Sequence, residues 1–300
     1  MHKGWWQRKG KLLVSPMKQR SFGFKKASAT TEYKSNLTFL LGATIVSVVL
    51  AIGLISLIWT PYNPISYFSK HILQGPTSAH LLGTDQEGRD ELSRLMAGTW
   101  ITLYAGFFAT AIGIFFGTLI GIYVAMFRNV ISEIIMRAGD ILLAFPALLI
   151  ATLLAARYGS STVTAMAAVG IAFIPYVMRV TRVAATKTYN SDFVLIARSY
   201  GLGKLYIAAK HILPNIVSLV TLQTTLLFSV AILSEAGLSY LGLGTPPPSP
   251  AWGVMLSDSA NTILTNPLLV LWPTLAIALT ILGFNLLADA MVHRLDKRSK

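Results

Sequence analysis

The sequence predicts an all-α integral membrane protein with six transmembrane helices. Three observations carry that prediction. The 300 residues are 54% hydrophobic and only 12% charged, with a mean hydropathy of +0.61, whereas an ordinary soluble chain is about 25% charged. Uncharged apolar runs of membrane-spanning length recur along the chain, and the basic residues collect on one side of the spans that those runs define. So few polar stretches cannot clothe a water-soluble core, so the bilayer is the solvent for most of the chain, and intrinsic disorder is excluded. The absence of cysteine excludes a disulfide scaffold, a thiolate metal site and a cysteine nucleophile.

A spanning helix needs about 20 apolar residues, because roughly 30 Å of hydrocarbon is crossed at about 1.5 Å per residue. Leu37 to Thr60, Trp100 to Phe127, Tyr158 to Met178 and Ile212 to Ser234 meet this without a charge, and Ser259 to Ala288 holds an apolar core from Leu268 onward. The remaining span, Ile141 to Ala156, has only sixteen residues between Asp140 and Arg157. It must extend past a charge or tilt, with Arg157 snorkelling toward the headgroups.

Six spans make the loops alternate sides. The N-terminal tail, the loops after the second and fourth spans, and the C-terminus hold nine, two, six and four Lys+Arg, 21 of the 25 in the chain. This asymmetry predicts that both termini lie in the cytoplasm, in a multi-pass protein of the inner (cytoplasmic) membrane. The formal net charge of +13 is then mostly topology, and no nucleic-acid partner is needed to explain it. The expected organisation is a basic cytoplasmic tail over 1–36, a first transmembrane helix over 37–60, and an extracytoplasmic loop with a short amphipathic helix over 61–99. A core of five spans follows over 100–289, and a cytoplasmic C-terminus over 290–300. The tail lacks the apolar region and cleavage site of a signal peptide and is expected to be retained, setting topology and touching anionic lipid.

Within the second span, Gly113, Gly117 and Gly121 recur every four residues, a pattern that lets another helix approach closely or lines a pathway. Pro146, Pro175 and Pro273 interrupt three spans, each removing a backbone donor; moving, cavity-lining helices and static kinks are both open. Ahead of the second span, Thr84 and Glu87 have capping-box spacing, and Asp90 and Arg94 stand four apart, as in an i,i+4 pair. Gly83, Asp85, Gly88 and Arg89 complete the stretch. The pattern reads as a short amphipathic helix. Its clustered acids and bases have no nucleophile beside them, so an intramembrane enzyme is not supported.

The loop from Arg179 to His211 is the longest on the basic side. Ser191 or Asp192 can cap a helix that Gly201 or Gly203 ends, and Lys204 restarts one. An elbow bearing Phe193, Leu195, Ile196 and Tyr200 suits a groove on a soluble partner. Between the last two spans, Glu235 to Gly253 carries no base, and its glycines (Gly237, Gly242, Gly244) and prolines forbid a continuous helix. A folded or re-entrant extracytoplasmic loop fits, with Glu235 either an interface-level carboxylate or a polar contact in a pathway. The five histidines are scattered without ligand spacing, so no metal site is expected. No Gly-x4-Gly-Lys-Ser/Thr loop is present, so this chain binds no nucleotide of its own by that route.

Three blocks, in this order, resemble the permease subunits of ATP-binding-cassette importers of the dipeptide, oligopeptide and nickel type. They are His80 to Asp85 continuing to Arg94, the loop ending His211-Ile212-Leu213-Pro214-Asn215, and Glu235 to Gly244 with the Pro-rich stretch and Trp252-Gly253. Asp140 to Pro146 and Phe284 to Asp289 also resemble family segments. The family's cytoplasmic signature is matched at Ala197, Gly201, Leu213 and Pro214, but Leu195 and Ile196 replace its Glu and first Ala. Asp192, one turn earlier, can supply charge on a similar face. The resemblance implies a type I importer permease fold whose coupling helix lies in the loop over 183–211. It also implies a second homologous permease, two ATPase subunits carrying ATP and Mg, and an extracytoplasmic solute-binding protein. The cargo it implies is a dipeptide or oligopeptide, or alternatively nickel or a metal chelate; a membrane scaffold without transport is the distant alternative.

Overall fold

The computed structural model describes residues 27–67, 71–127 and 129–298. Most of the expected basic tail lies outside the described residues. The described residues divide between two units, one ending at 34 and the other beginning at 35. In the first, residues 27–34 are the opening turns of α1 (Ala27–Ser56). In the second, α1 is followed by α2 (Glu91–Met126), α3 (Val130–Ala144), α4 (Ala147–Tyr158), α5 (Thr162–Tyr189) and α6 (Asp192–Ser199). Then come α7 (Lys204–Ile207), α8 (Leu213–Tyr240), α9 (Trp252–Ser259) and α10 (Leu268–Arg298).

Five stretches are long and apolar enough to cross a membrane: Leu37–Ser56, Glu91–Met126, Thr162–Tyr189, Lys204–Tyr240 and Leu268–Val292. The sixth is the pair α3 and α4, which meet at 89°. A straight helix over Ile141 to Ala156 is therefore not formed. Pro146 contributes to the break, since its ring disfavours helical conformation in the residue before it, and Phe145 is extended at φ −89°, ψ 126°. The apolar path starts beyond Asp140, at Val130, and turns at the proline. Pro175 and Pro273, by contrast, sit inside the uninterrupted helices α5 and α10.

The glycine row of α2 is a packing surface. A Cβ at Gly117 would lie 2.5 Å from Val177 Cβ and 2.9 Å from the Ile174 carbonyl oxygen, and Gly113 and Gly121 meet Phe173 and Thr181 of α5 in the same way. Only hydrogen fits between these two backbones. Around this contact runs the central apolar cluster, with Ala105 and Ala109 of α2, Met166, Val169 and Phe173 of α5, and Leu227 and Ala231 of α8. A second cluster gathers Ile122 and Met126, Ala185, Val194, Ile207, Ile212 and Ile216 at the end of the bundle that carries α6. A third joins Ala236, Trp252, Met255 and Ile277 at the end that carries α9.

Between α7 and α8 the chain makes a π-helical turn, Ala208–Ile212. Pro214 has no N–H to give to the preceding turn, while the Asn215 side-chain amide donates to the His211 carbonyl at 2.6 Å. The turn widens where the regular ladder would be broken. The expected separate helix after Lys204 is thus the start of one long element that runs into the fifth span.

Gly117→Ala is expected to lower stability by about 1–3 kcal/mol, the range for overpacking a close contact. Gly203→Ala, where a Cβ would meet nothing within 4 Å, serves as the neutral control. The measurement is the midpoint of thermal unfolding in detergent.

Candidate functional site

At the α9 end, the segment from His80 to Arg94 is not the expected amphipathic helix beginning at Thr84. It is a tight excursion closed by an isolated antiparallel bridge between Thr84 and Asp90, with Gly83 and Gly88 at φ +86° and +75°. Thr84 makes no capping box. Its hydroxyl donates to the His71 carbonyl and accepts from the Gln74 N–H. The helix starts at Glu91, where Asp90 caps it by accepting from the Ser93 N–H at 2.8 Å and the Ser93 hydroxyl at 2.6 Å. A short apolar-to-polar pattern fits both a capped helix and a hairpin-like turn, and here the turn's long-range partners decide between them.

Those partners are ionic. Arg89 places Nε 2.5 Å from Asp85 Oδ2, Nη1 2.7 Å from Glu87 Oε2 and Nη2 3.0 Å from Asp258 Oδ2. Arg94 reaches the same Asp258 oxygen at 3.1 Å and stands 3.5 Å from Asp85, instead of pairing with Asp90. Asp90 pairs with His80 Nδ1 at 2.8 Å. Both guanidinium groups are buried. Burial, the largest single influence, works against the charge of Arg89, but Asp85, Glu87 and Asp258 together outweigh it, so its pKa is raised. Asp85 also accepts the N–H groups of Glu87 and Arg89, each at 2.9 Å. The result is a cage that ties the start of α2 to α9, reinforced by the buried Trp252, whose Nε1 donates to the Leu95 carbonyl at 3.1 Å.

Asp258 was not among the residues expected to matter. The signal was available, since it is the sole charged residue between Glu235 and Asp289.

Glu235 lies at the same end, and it is 0% exposed. Its carboxylate is therefore covered by protein on all sides. It accepts hydrogen bonds from Ser239 Oγ at 2.7 Å, and from Thr102 Oγ1 and Thr245 Oγ1 at 3.3 Å each. Gly237 lies near the end of α8, Gly242 stands at φ +75° in the turn that closes it, and Gly244 packs on Ser239. Among the described residues, no group of three or more His, Cys, Asp or Glu is placed to hold a metal ion.

The opposite end is apolar and outward-facing. Helix α6 turns Val194 into the second cluster, buries Ala197 on the same face, and leaves Asp192, Phe193, Leu195 and Ile196 exposed. Asp192, in the first turn, suits the positive end of the helix dipole. Tyr200 ends α6 at 84% exposure, and Leu205, just past the elbow, is 85% exposed. Between them Gly201 adopts φ +77° with open space where a Cβ would stand. The Leu202 N–H returns to the Ala197 carbonyl at 3.2 Å, so a left-handed residue closes the helix. Cation–π contacts of Arg198 over Tyr189, at 4.8 Å, and Lys204 Nζ over Phe127, at 4.1 Å, pin the elbow to α5 and to the residue that caps the end of α2. Leu213 and Pro214 open α8 directly after the π-helical turn. The structure therefore gathers the two sets of sequence-selected residues at opposite ends of the bundle.

The family described as binding-protein-dependent transport system inner membrane component matches residues 117–300. The chain is 40% identical to the dipeptide transport system permease protein DppC of Escherichia coli (strain K12) over 274 residues, 89% of this chain and 91% of that protein. It is 36% identical to the glutathione transport system permease protein GsiD of Pectobacterium atrosepticum over 241 residues, 80% of each chain. It is 35% identical to the dipeptide transport system permease protein DppC of Alkalihalophilus pseudofirmus over 272 residues, 91% of this chain and 90% of that protein.

Removing Asp85 takes from Arg89 its shortest ion pair and leaves both buried guanidinium groups sharing Asp258, so Asp85→Ala is expected to destabilise by about 3 kcal/mol, the low end of the range for breaking a buried pair. Glu87→Ala removes a half-exposed partner of Arg89 and is expected to cost about 1 kcal/mol or less. Thermal unfolding and limited proteolysis of the purified protein compare the two.

Proposed function

We propose a function from one premise: this chain belongs to the family of binding-protein-dependent transport system inner membrane components. It is a multi-pass inner-membrane permease of the ATP-binding-cassette importer type, and it forms part of the pathway for small peptides. The names of its relatives, which transport dipeptides and glutathione, support the choice of cargo. The chain works with a second, homologous permease subunit. An extracytoplasmic binding protein delivers cargo at the α9 end, and two ATPase subunits carrying ATP and Mg dock at the α6 end. This chain breaks no bond in the solute and binds no nucleotide.

The observation that carries the coupling role is the elbow from Phe193 to Leu205. It exposes large apolar side chains to a partner while Val194 and Ala197 root it in the bundle. The excess of basic residues at this end, among them Arg198, Lys204 and Lys210, supports a cytoplasmic side for it and for both termini. ATP closes the ATPase pair, the docked elbow follows, and the long helix that begins at Lys204 transmits the movement. ATP can shift the bundle only by its difference in affinity for the two states, so rigid attachment of α6 to the bundle is what makes docking productive. Asp192 supplies the carboxylate that the family signature would carry at Leu195.

Reconstitution of the four-subunit assembly in liposomes with the binding protein tests this reading. The expected result is ATP-dependent accumulation of dipeptides or glutathione; uptake of nickel but of neither peptide would overturn the cargo, and uptake without ATPase subunits would overturn the coupling. Gly201→Val must place a β-branched residue at positive φ, a strain of roughly 1–2 kcal/mol. Its expected effect is weakened transport with insertion and folding retained. Ile196→Asp is expected to reduce co-purification of the ATPase subunits.

A further inference from the structure

Helix α3 carries charge into the membrane on the outside of the bundle. Glu133, Arg137 and Asp140 stand four and three residues apart and so share one face of it. Glu133 and Arg137 pair with each other at 2.6 Å near the start of the helix. Asp140 instead reaches across to α5, where Arg179 Nη2 pairs with its Oδ1. Gly139 fixes the height of that pair, because a Cβ there would lie 3.4 Å from Pro175 Cβ and 2.5 Å from Met178 Cε.

The glycine row measures how deep the pair lies. Gly117 faces Val177 and Gly121 faces Thr181, so Arg179 is level with a point about eight residues, or about 12 Å, before the uncharged run Trp100–Phe127 ends. That run is about 42 Å long and the hydrocarbon about 30 Å thick. Centring one on the other leaves about 6 Å of the run outside the hydrocarbon at each end, which places the ion pair about 6 Å within it. Charged side chains at such depth face protein or a water-filled cavity. Arg179 and Asp140 are nevertheless 48% and 54% exposed on the outer surface of the bundle, so this surface is not turned to lipid.

A second observation agrees. The backbone breaks at Phe145 and Pro146, both exposed and little more than a turn beyond Asp140. Irregular backbone in the hydrocarbon is tolerated only where protein buries it or water bathes it. A helix packed tightly over the ion pair would have to desolvate both charges. Water therefore lies against the pair, in a space that this bundle borders from outside while its α2–α5 seam stays closed. Dipeptides and glutathione each carry a carboxylate and an ammonium group, the two charges that Arg179 and Asp140 complement. Among the described residues, Arg179 is engaged in an ion pair through Nη2 alone, and a guanidinium has further N–H donors to offer a carboxylate.

We propose that Arg179 and Asp140 form a solute-contact site for a zwitterionic peptide, Arg179 taking the carboxylate and Asp140 the ammonium group, on the outer face of α3 and α5 that borders the second permease subunit. Between solutes the two residues neutralise each other. This rests on reading the chain as a permease.

A dipeptide with a photoactivatable diazirine side chain tests the site in the four-subunit assembly, reconstituted in liposomes with its binding protein. Illumination during ATP-driven uptake is expected to leave adducts, located by mass spectrometry, within residues 136–147 or 172–183 of this chain. Arg179→Gln is expected to lower both adduct yield and uptake at least tenfold, with co-purification of all subunits and the thermal midpoint retained. Arg179→Lys, which keeps the charge, is expected to recover uptake to within threefold of the unmodified assembly. Uptake without adducts in either segment would overturn the site alone, as would unchanged uptake by Arg179→Gln. Loss of uptake by Arg179→Gln together with loss of assembly or of thermal stability would make the pair a structural brace and also overturn the site. Absence of uptake by the unmodified assembly would overturn the permease reading and the site with it.

Discussion

The close approach of α2 and α5 is the constraint on which the rest of the bundle depends. In lipid, two apolar helices gain little from meeting each other rather than acyl chains, so association must come from packing and polar contacts. The row Gly113, Gly117, Gly121 supplies the packing, letting the two backbones meet where any larger side chain would hold them apart. Because α2 runs from the arginine cage to the second apolar cluster, this one seam fixes how both ends of the molecule are presented.

The ends differ in kind. One is dense with ionisable groups and hydroxyls, nearly all paired internally, and it buries the charges it carries. The other is anchored by aliphatic contacts and leaves aromatic and branched side chains uncovered. An internally paired end resists change. An uncovered apolar end gains by acquiring a partner. This asymmetry is what a helical bundle needs if force is to enter at one end while the other holds its shape.

Much of this was legible in the sequence, and the failures were physical. Five spans followed from uninterrupted apolar runs, because backbone satisfaction in hydrocarbon leaves little alternative to helix. The elbow was legible from Gly201 and the apolar residues before it, since its geometry is local. The stretch around Thr84 was misread because its spacing satisfies a capping box, while the bonds that set its shape come from His71, Gln74 and, across 169 residues, Asp258. The burial of Glu235 was hidden for the same reason, as two of its partners lie on other elements. Pro146 could be marked as a break but not as an 89° turn. The angle depends on what α3 and α4 pack against.

The widened turn at Ala208–Ile212 has a geometric consequence of its own. Ile207 and Ile212 are five residues apart, which on an ideal α-helix leaves them about 140° apart around the axis, yet both are buried with Ile216 in one cluster. The surplus residue is absorbed in the wide coil, and the two stretches keep a common inward stripe. Winding the same residues as a regular α-helix would leave the rod intact but swing everything before it by roughly 100° about the rod's axis. The apolar tip would then point to a different quarter of its surroundings, so its bearing is set by one residue out of phase.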